Sequence, residues 1–279
     1  MTHSNTNLQS LSVPLQNIFD RVEETHKERE AAKVYQLSLW KDPQRGVPNE
    51  FVRSALFPAI QPNKARYVRG ETIFSQNGFT ITFTGRQLTQ CDLDVYEAIM
   101  HLARGTQEGN KVRFTAYQLL KLLHRHTGKS QYKWLLDVLQ GLTATAVSIE
   151  RDGKRVFWGS LLPKGAADLE DGKFTVEISR EMIQLFSRGY TVIEEAHRRQ
   201  LAGKHLAKAL HGWICSHEKP HPVTVQFLHE LTGSDTKALK KFRQNLKIAL
   251  DDIRAIGAIT DWNIDDRDKV HIQKAPMLF

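Results

Sequence analysis

Apolar and polar positions alternate through Phe79, Ile81 and Phe83, the period-two signature of a half-buried strand. From about Asp92 the period lengthens: Leu93, Tyr96, Ile99, Met100 and Leu102–Ala103 recur at helical spacing, so a helix is expected after the strand. Thr115 is a good N-cap for the run AYQLLKLLH, and Thr127-Gly128 breaks the pattern before a second helical run, SQYKWLLDVLQGL. The runs TAVSIE and RVFWGSL then flank Arg151-Asp152-Gly153-Lys154, and Asp-Gly between two strand-like runs signals a tight β-hairpin. A second Asp-Gly, Asp171-Gly172, leads into FTVEIS, expected as a third strand beside that hairpin, and the helical run EMIQLFSRG follows. The order is helix, helix-turn-helix, wing.

The same order recurs. A long helix is expected from roughly Glu194 to His217, stopped by Pro220 and Pro222. VTVQFLHELTG reads as a short helix ending at Gly233, and Ser234 or Asp235 is expected to cap a further helix running to about Ile256. AITDWNI and KVHIQK are strand-like around the polar turn Asp265-Asp266-Arg267-Asp268. The expected fold class is α+β: two tandem winged-helix domains (helix-turn-helix plus β-hairpin), residues 46–190 and 191–279, behind a flexible N-terminal leader, residues 1–45. The leader is polar and then densely charged from Arg21 to Lys33, ahead of Pro43 and Pro48. Val52–Phe57 is expected to pack its apolar side chains under the first domain.

Composition fits this division and adds a partner. A chain of 279 residues with 41% hydrophobic content can bury two cores. The formal net charge of +8 favours a polyanion, because neutralising phosphates releases condensed counterions. The two cysteines, Cys91 and Cys215, offer neither a disulfide framework nor a cysteine-rich zinc module, which suits a reducing cytoplasm. The N-terminus lacks an export signal, and no apolar run reaches the ~18 residues of a membrane span.

The segment Lys237–Ile253 carries the most specific signal. At about 100° per residue, Leu239, Phe242, Leu246, Leu250 and Ile253 form one apolar stripe, while Lys237, Lys240, Lys241, Gln244 and Lys247 fall opposite, with Arg243 at the border. Ordinary surfaces intersperse both signs, so a face without acids points to a DNA recognition helix. Arg243 and Gln244 are the candidate base readers, since their side chains match guanine and adenine edges, and the four lysines are candidate phosphate contacts. In the first domain, Lys129, Lys133 and Gln140 share the equivalent face with Asp137 among them, and Arg151, Lys154 and Arg155 bracket the tip of the expected wing. Lys269, on the last hairpin, completes the candidate DNA-binding set.

Catalytic and metal signals are weak by comparison. Thr127-Gly128-Lys129-Ser130 resembles the end of a phosphate-binding loop, but Leu123 stands where the motif needs glycine, and a helix precedes it in place of a strand. His124-Arg125-His126 resembles the histidine pair of rolling-circle nickases, with Tyr117 or Tyr132 as nucleophile, but it lies at a helix end. Cys215, His217 and His221 are too few and too loosely spaced for a structural zinc site. No catalytic residues, cofactor or metal are assigned.

In the leader, Gln36-Leu37-Ser38-Leu39-Trp40 resembles the bacterial sliding-clamp-binding pentapeptide, with a glutamine amide and a leucine-aromatic anchor. With QLSLW, the runs VPNEFVRSALFPAI, FTGRQLTQCDLDVYEAIMHLAR and TAYQLL make the chain resemble TrfA-type replication initiators of broad-host-range bacterial plasmids, from about Tyr35 to the C-terminus. That resemblance implies binding to directly repeated duplex origin sites (iterons) and opening of an adjacent A·T-rich region, whose single strand is a further candidate partner. It also implies contact with the host initiator, replicative helicase and sliding clamp, and a monomer–dimer equilibrium. A winged-helix transcriptional repressor and a rolling-circle nickase are the alternatives.

Overall fold

In the computed structural model the described residues are 37, 40–76, 78–104, 111–167 and 173–276. They form β1 (Gln44–Pro48), α1 (Asn49–Val52), a 3-10 turn (Pro62–Lys64), β2 (Tyr67–Ile73), β3 (Phe79–Arg86), α2 (Gln90–Ala103), β4 (Lys111–Thr115), α3 (Ala116–Leu122) and α4 (Lys129–Thr143). Then come β5 (Ala146–Arg151), β6 (Lys154–Gly159), β7 (Lys164–Ala167), β8 (Lys173–Glu177), α5 (Arg180–Arg188), β9 (Tyr190–Glu194), α6 (Glu195–Gln200) and α7 (His205–Cys215). The chain ends with β10 (Val223–Thr224), α8 (Val225–Leu231), α9 (Leu239–Ala255), β11 (Ile259–Ile264) and β12 (Lys269–Lys274). The architecture is a mixed α and β one, with the strands in separate small antiparallel sheets.

Several helix starts are set by local chemistry. Thr89 with Asp92 and Thr115 with Gln118 form reciprocal capping boxes at α2 and α3. The Thr224 hydroxyl accepts from the Phe227 backbone N–H at 3.1 Å to start α8. The turn between β5 and β6 places Asp152 and Gly153 at φ 51° and 72°, the left-handed pair that a two-residue hairpin requires and that Asp-Gly supplies.

Pairing reveals a repeat in topology. One three-stranded sheet has the order β4-β8-β7 and another the order β10-β12-β11. The series α2-β4-α3-α4-β7-β8 is therefore repeated by α7-β10-α8-α9-β11-β12, with matching strand neighbours. This corrects the expected wing of the first half. The β5–β6 hairpin exists, but it joins β2 and β3 in a four-stranded sheet, while FTVEIS, as β8, pairs with β4 and β7. Hairpin signals specify a local turn and leave open which sheet the strands join, and here the insertion of β5 and β6 between α4 and β7 moved the partner.

Two further boundaries differ from expectation. The long helix is broken: Tyr190–Glu194 pairs as β9 with β1, and α6 and α7 are separated by a turn in which Gly203 has φ 76°. The last long helix starts at Leu239 after Ala238 with no side-chain cap, because the Ser234 hydroxyl accepts from the Thr236 N–H and Asp235 pairs with Lys64 at 2.8 Å.

The folded region starts before residue 45. Leu37 is buried, Trp40 is only 6% exposed and stacks on Phe186 at 5.9 Å, and Gly46 lies against the indole so closely that a Cβ there would stand 2.5 Å from it. The Trp40 indole N–H donates to His101 Nδ1 at 3.2 Å. Gln36, Ser38 and Leu39, with the rest of the leader to residue 35, lie outside the described residues. Val52, Leu56 and Phe57 are buried, as expected of that segment. Phe74 then packs onto the core of the C-terminal repeat, edge-on to Phe227, and the Ala59 N–H donates to the Thr232 carbonyl at 2.7 Å. The segment between α1 and β3 thus ties the two repeats together.

Candidate nucleic-acid interface

Helix α9 is held from below. Phe242, Leu246, Leu250 and Ile253 are fully buried in a core with Trp213, Leu228, Ile259 and Val270. Leu239, expected on the same stripe, is 37% exposed because it is the first residue of the helix and stands beyond the edge of that core. With the underside fixed, Lys240, Lys241, Gln244, Lys247 and Ile248 are turned to solvent, and Lys237 is exposed in the extended segment just before the helix.

No carboxylate among the described residues pairs with Lys237, Lys240, Lys241 or Lys247; the Lys241 ammonium only approaches Gln244 Oε1 at 3.5 Å. Lys240 and Lys241 also sit in the first turn, where the helix dipole disfavours cations and favours anions. This clustering of positive charge raises the free energy of the isolated protein, and a polyanion lying across the helix N-terminus relieves it.

Arg243 takes part in an exposed ion pair. Its guanidinium lies 2.6 Å from Asp268, in the β11–β12 turn, where Asp268 has φ 59°. The border position of Arg243 aims it along the domain surface, so it braces the helix against the hairpin. Gln244 is central on the open face, and Arg243, its side chain 41% exposed, stands at the border as the other base-reading candidate of this helix. Lys269 is exposed at the start of β12, its backbone N–H bound to Asp265 Oδ1 at 2.9 Å, which leaves the side chain free of the turn.

The first repeat is less cationic. Lys129, Lys133 and Gln140 are exposed on α4, as is Asp137, and Tyr132 covers Phe174 of β8 at 5.9 Å. The three wing candidates flank the β5–β6 turn, two of them in ion pairs. Arg151 reaches down to the buried Glu50 at 3.4 Å, Arg155 folds onto Glu150 through two contacts of 3.2 and 3.0 Å, and Lys154 remains exposed at the tip. Their hairpin packs on α5, whereas α4 packs beside β7. An apolar groove of about 330 Å³ lies along α4, lined by Leu136, Leu139, Thr143, Ala166, Phe174 and Val176.

The discounted motifs have other work. Leu123 ends α3, and Gly128 opens α4 after a loop with no strand before it. His124 has φ 52° and contacts Glu195 at 3.1 Å. Cys215 Sγ lies 3.5 Å from His211 Nε2, while His217 Nδ1 is engaged with the Trp213 carbonyl at 2.9 Å. Among the described residues, no helix is long and apolar enough to cross a membrane.

A buried ionic cluster joins the repeats, and the sequence pattern barely marks it. Arg198 of α6, 4% exposed, contacts Asp94 at 2.7 Å and Glu97 at 3.4 Å on α2, and Lys208 of α7 contacts Asp94 at 2.5 Å. Burial opposes the charge on Asp94, yet Arg198 and Lys208 hold its carboxyl below the usual range. Burial dominates at Glu97 and pushes it up to about 7, with one oxygen unpartnered. The only sequence trace is HRRQ at 197–200, where one arginine is buried and Arg199 exposed.

Residues 17–274 match the family model described as TrfA protein. The chain belongs to the TrfA family. A curated TrfA relative, the plasmid replication initiator protein TrfA of Escherichia coli, is 28% identical over 259 residues, covering 88% of this chain and 67% of that protein. Among solved structures, domains 2 and 3 of RctB superpose with a TM-score of 0.56 at 11% identity, covering 83% of this chain and 99% of theirs. The Pi initiator protein, solved in complex with iteron DNA, gives a TM-score of 0.54 at 13% identity, covering 85% of this chain and 100% of its own. At these identities the structural matches establish a shared fold, and the TrfA assignment rests on the family model.

Proposed function

We propose that the protein is a plasmid replication initiator that binds directly repeated sites in origin duplex DNA through two winged-helix units, the C-terminal one supplying the principal groove contact. The observation that carries this is the face of α9: Lys240, Lys241 and Lys247 around Gln244, with Lys237 just ahead of the helix, none paired with a carboxylate among the described residues, on a helix whose opposite side is locked into a core. The repeated series of helix, strand, two helices and hairpin, with equal strand order in both sheets, supports the tandem winged-helix description. Family membership and the likeness to the Pi initiator support origin repeats as the target. In this reading Lys237, Lys240, Lys241 and Lys247 contact phosphate, Gln244 reads a base edge, Arg243 reads another once DNA displaces its exposed pairing with Asp268, and Lys129, Lys133, Gln140, Arg151, Lys154, Arg155 and Lys269 add weaker contacts.

Origin opening and recruitment of the host initiator and helicase are part of the same proposal, as are exchange between monomer and dimer and a role without reaction chemistry of its own. Clamp binding through Gln36–Trp40 enters on changed terms, since Leu37 and Trp40 are buried against the fold and must be withdrawn before a clamp pocket can take them. Footprinting on the parent plasmid tests the proposal: regularly spaced protected repeats are expected, and a single palindrome would indicate a repressor instead. Incubation with supercoiled origin DNA and magnesium is expected to leave the strands uncut, and specific nicking would replace the initiator by the nickase.

A further inference from the structure

Ile248 is 63% exposed on α9 and belongs neither to the buried core beneath that helix nor to the partly buried side chains packed on that core. Single exposed apolar residues are common and need no explanation in general. This one has an unusual setting. At about 100° per residue it stands roughly 40° from Gln244 and 20° from Lys241, inside the lysine-rich face and away from the buried stripe. Neither helix propensity nor solubility favours a β-branched aliphatic there. After the buried Ala249 and Leu250 come two acids, Asp251 and Asp252, and Lys204 pairs with Asp252 at 2.6 Å, so Ile248 is the last exposed residue before the acids.

A helix lying in a major groove meets four patterns of base edge, and the one apolar element among them is the C5-methyl of thymine. We infer that Ile248 reads such a methyl group, making the step contacted by Gln244 and Ile248 one that prefers A·T pairs: adenine N6 and N7 to the Gln244 amide, and thymine methyl to the Ile248 side chain. The surrounding lysines fit this occupant, because they match the phosphates that flank a groove and would repel a basic protein partner. The inference rests on the assignment of α9 to the groove.

The test uses the full-length protein and a duplex selected by it from a random-sequence pool. Each thymine is replaced singly by deoxyuridine, which removes only the methyl group. For the wild-type chain, one or two positions are expected to weaken binding about fourfold, the fold-change of one buried methyl-sized group. Ile248→Ala is expected to bind the unsubstituted duplex more weakly and to show no further loss at those positions. A flat wild-type scan, or an undiminished loss at the same thymine in Ile248→Ala, overturns the assignment. Lys241→Ala separates this from the parent reading: if its affinity and salt dependence are those of the wild type, α9 is not on DNA at all, whereas a weakened Lys241→Ala with a flat deoxyuridine scan rejects Ile248 alone.

Discussion

At the scale of single residues, the roles on α9 divide by side-chain chemistry. Lysine presents a point charge that any phosphate satisfies, and a glutamine amide makes a directional pair with adenine. Lys241→Ala is therefore expected to weaken binding to specific and random duplex alike, and to lower the slope of log affinity against log salt by about 0.9. Gln244→Ala is expected to narrow the gap between specific and random duplex while leaving the salt slope in place; competition titrations at several salt concentrations measure both. A second residue-scale expectation concerns Glu97. Its folded value, about 7, lies above its ordinary value of 4.5, so the folded protein holds a proton that the unfolded chain has released. That contribution to stability is complete below pH 4.5 and is lost as the pH climbs towards 7. Glu97→Gln should flatten the fall in stability across this window, and urea midpoints at pH 5 and pH 8 that change equally in wild type and variant would contradict it. Asp94, held low by its two cations, acts in the opposite sense only at more acid pH.

At the scale of elements, α9 presents its lysine face only while its underside is held. Phe242 is fully buried and meets His229 edge-on at 4.8 Å, fastening α9 to α8. Phe242→Ala is expected to cost about 3–5 kcal/mol, the range for emptying a buried aromatic site, and to reduce DNA binding in parallel with the loss of folded protein. Denaturant unfolding followed beside a binding titration checks this; weakened binding by a fully folded variant would mean that Phe242 acts other than through packing. The hairpins make the complementary point. The Arg151-Asp152-Gly153-Lys154 turn forms because Asp-Gly accepts left-handed φ, and Arg155 meets Glu150 within the same hairpin, but the sheet its strands enter was settled by β3, some 70 residues away in sequence, and the partner of Arg151 by Glu50 of α1.

For the whole molecule, the arrangement of the two repeats depends on contacts remote from either basic face: Phe74 on the C-terminal core, Ala59 with Thr232, and the Arg198 cluster between α2, α6 and α7. Removing Arg198 leaves Asp94 and Glu97 buried with too little compensation, so Arg198→Met is expected to destabilise the protein by about 3–5 kcal/mol. A calorimetric scan at neutral pH checks this, and an unchanged midpoint would show the cluster to be energetically idle. What the sequence determined was local. Capping threonines, helical stripes and Asp-Gly turns act over a few residues, and they were enough to place α3, α4 and α9, the two hairpin turns and the lysine face. Tertiary structure decided the rest: β8 beside β4, Arg243 on Asp268, Trp40 under Phe186, and Arg198 in the interior. Those outcomes depend on which surfaces meet, and burial or ion pairing between residues far apart in the chain leaves no periodic trace in it.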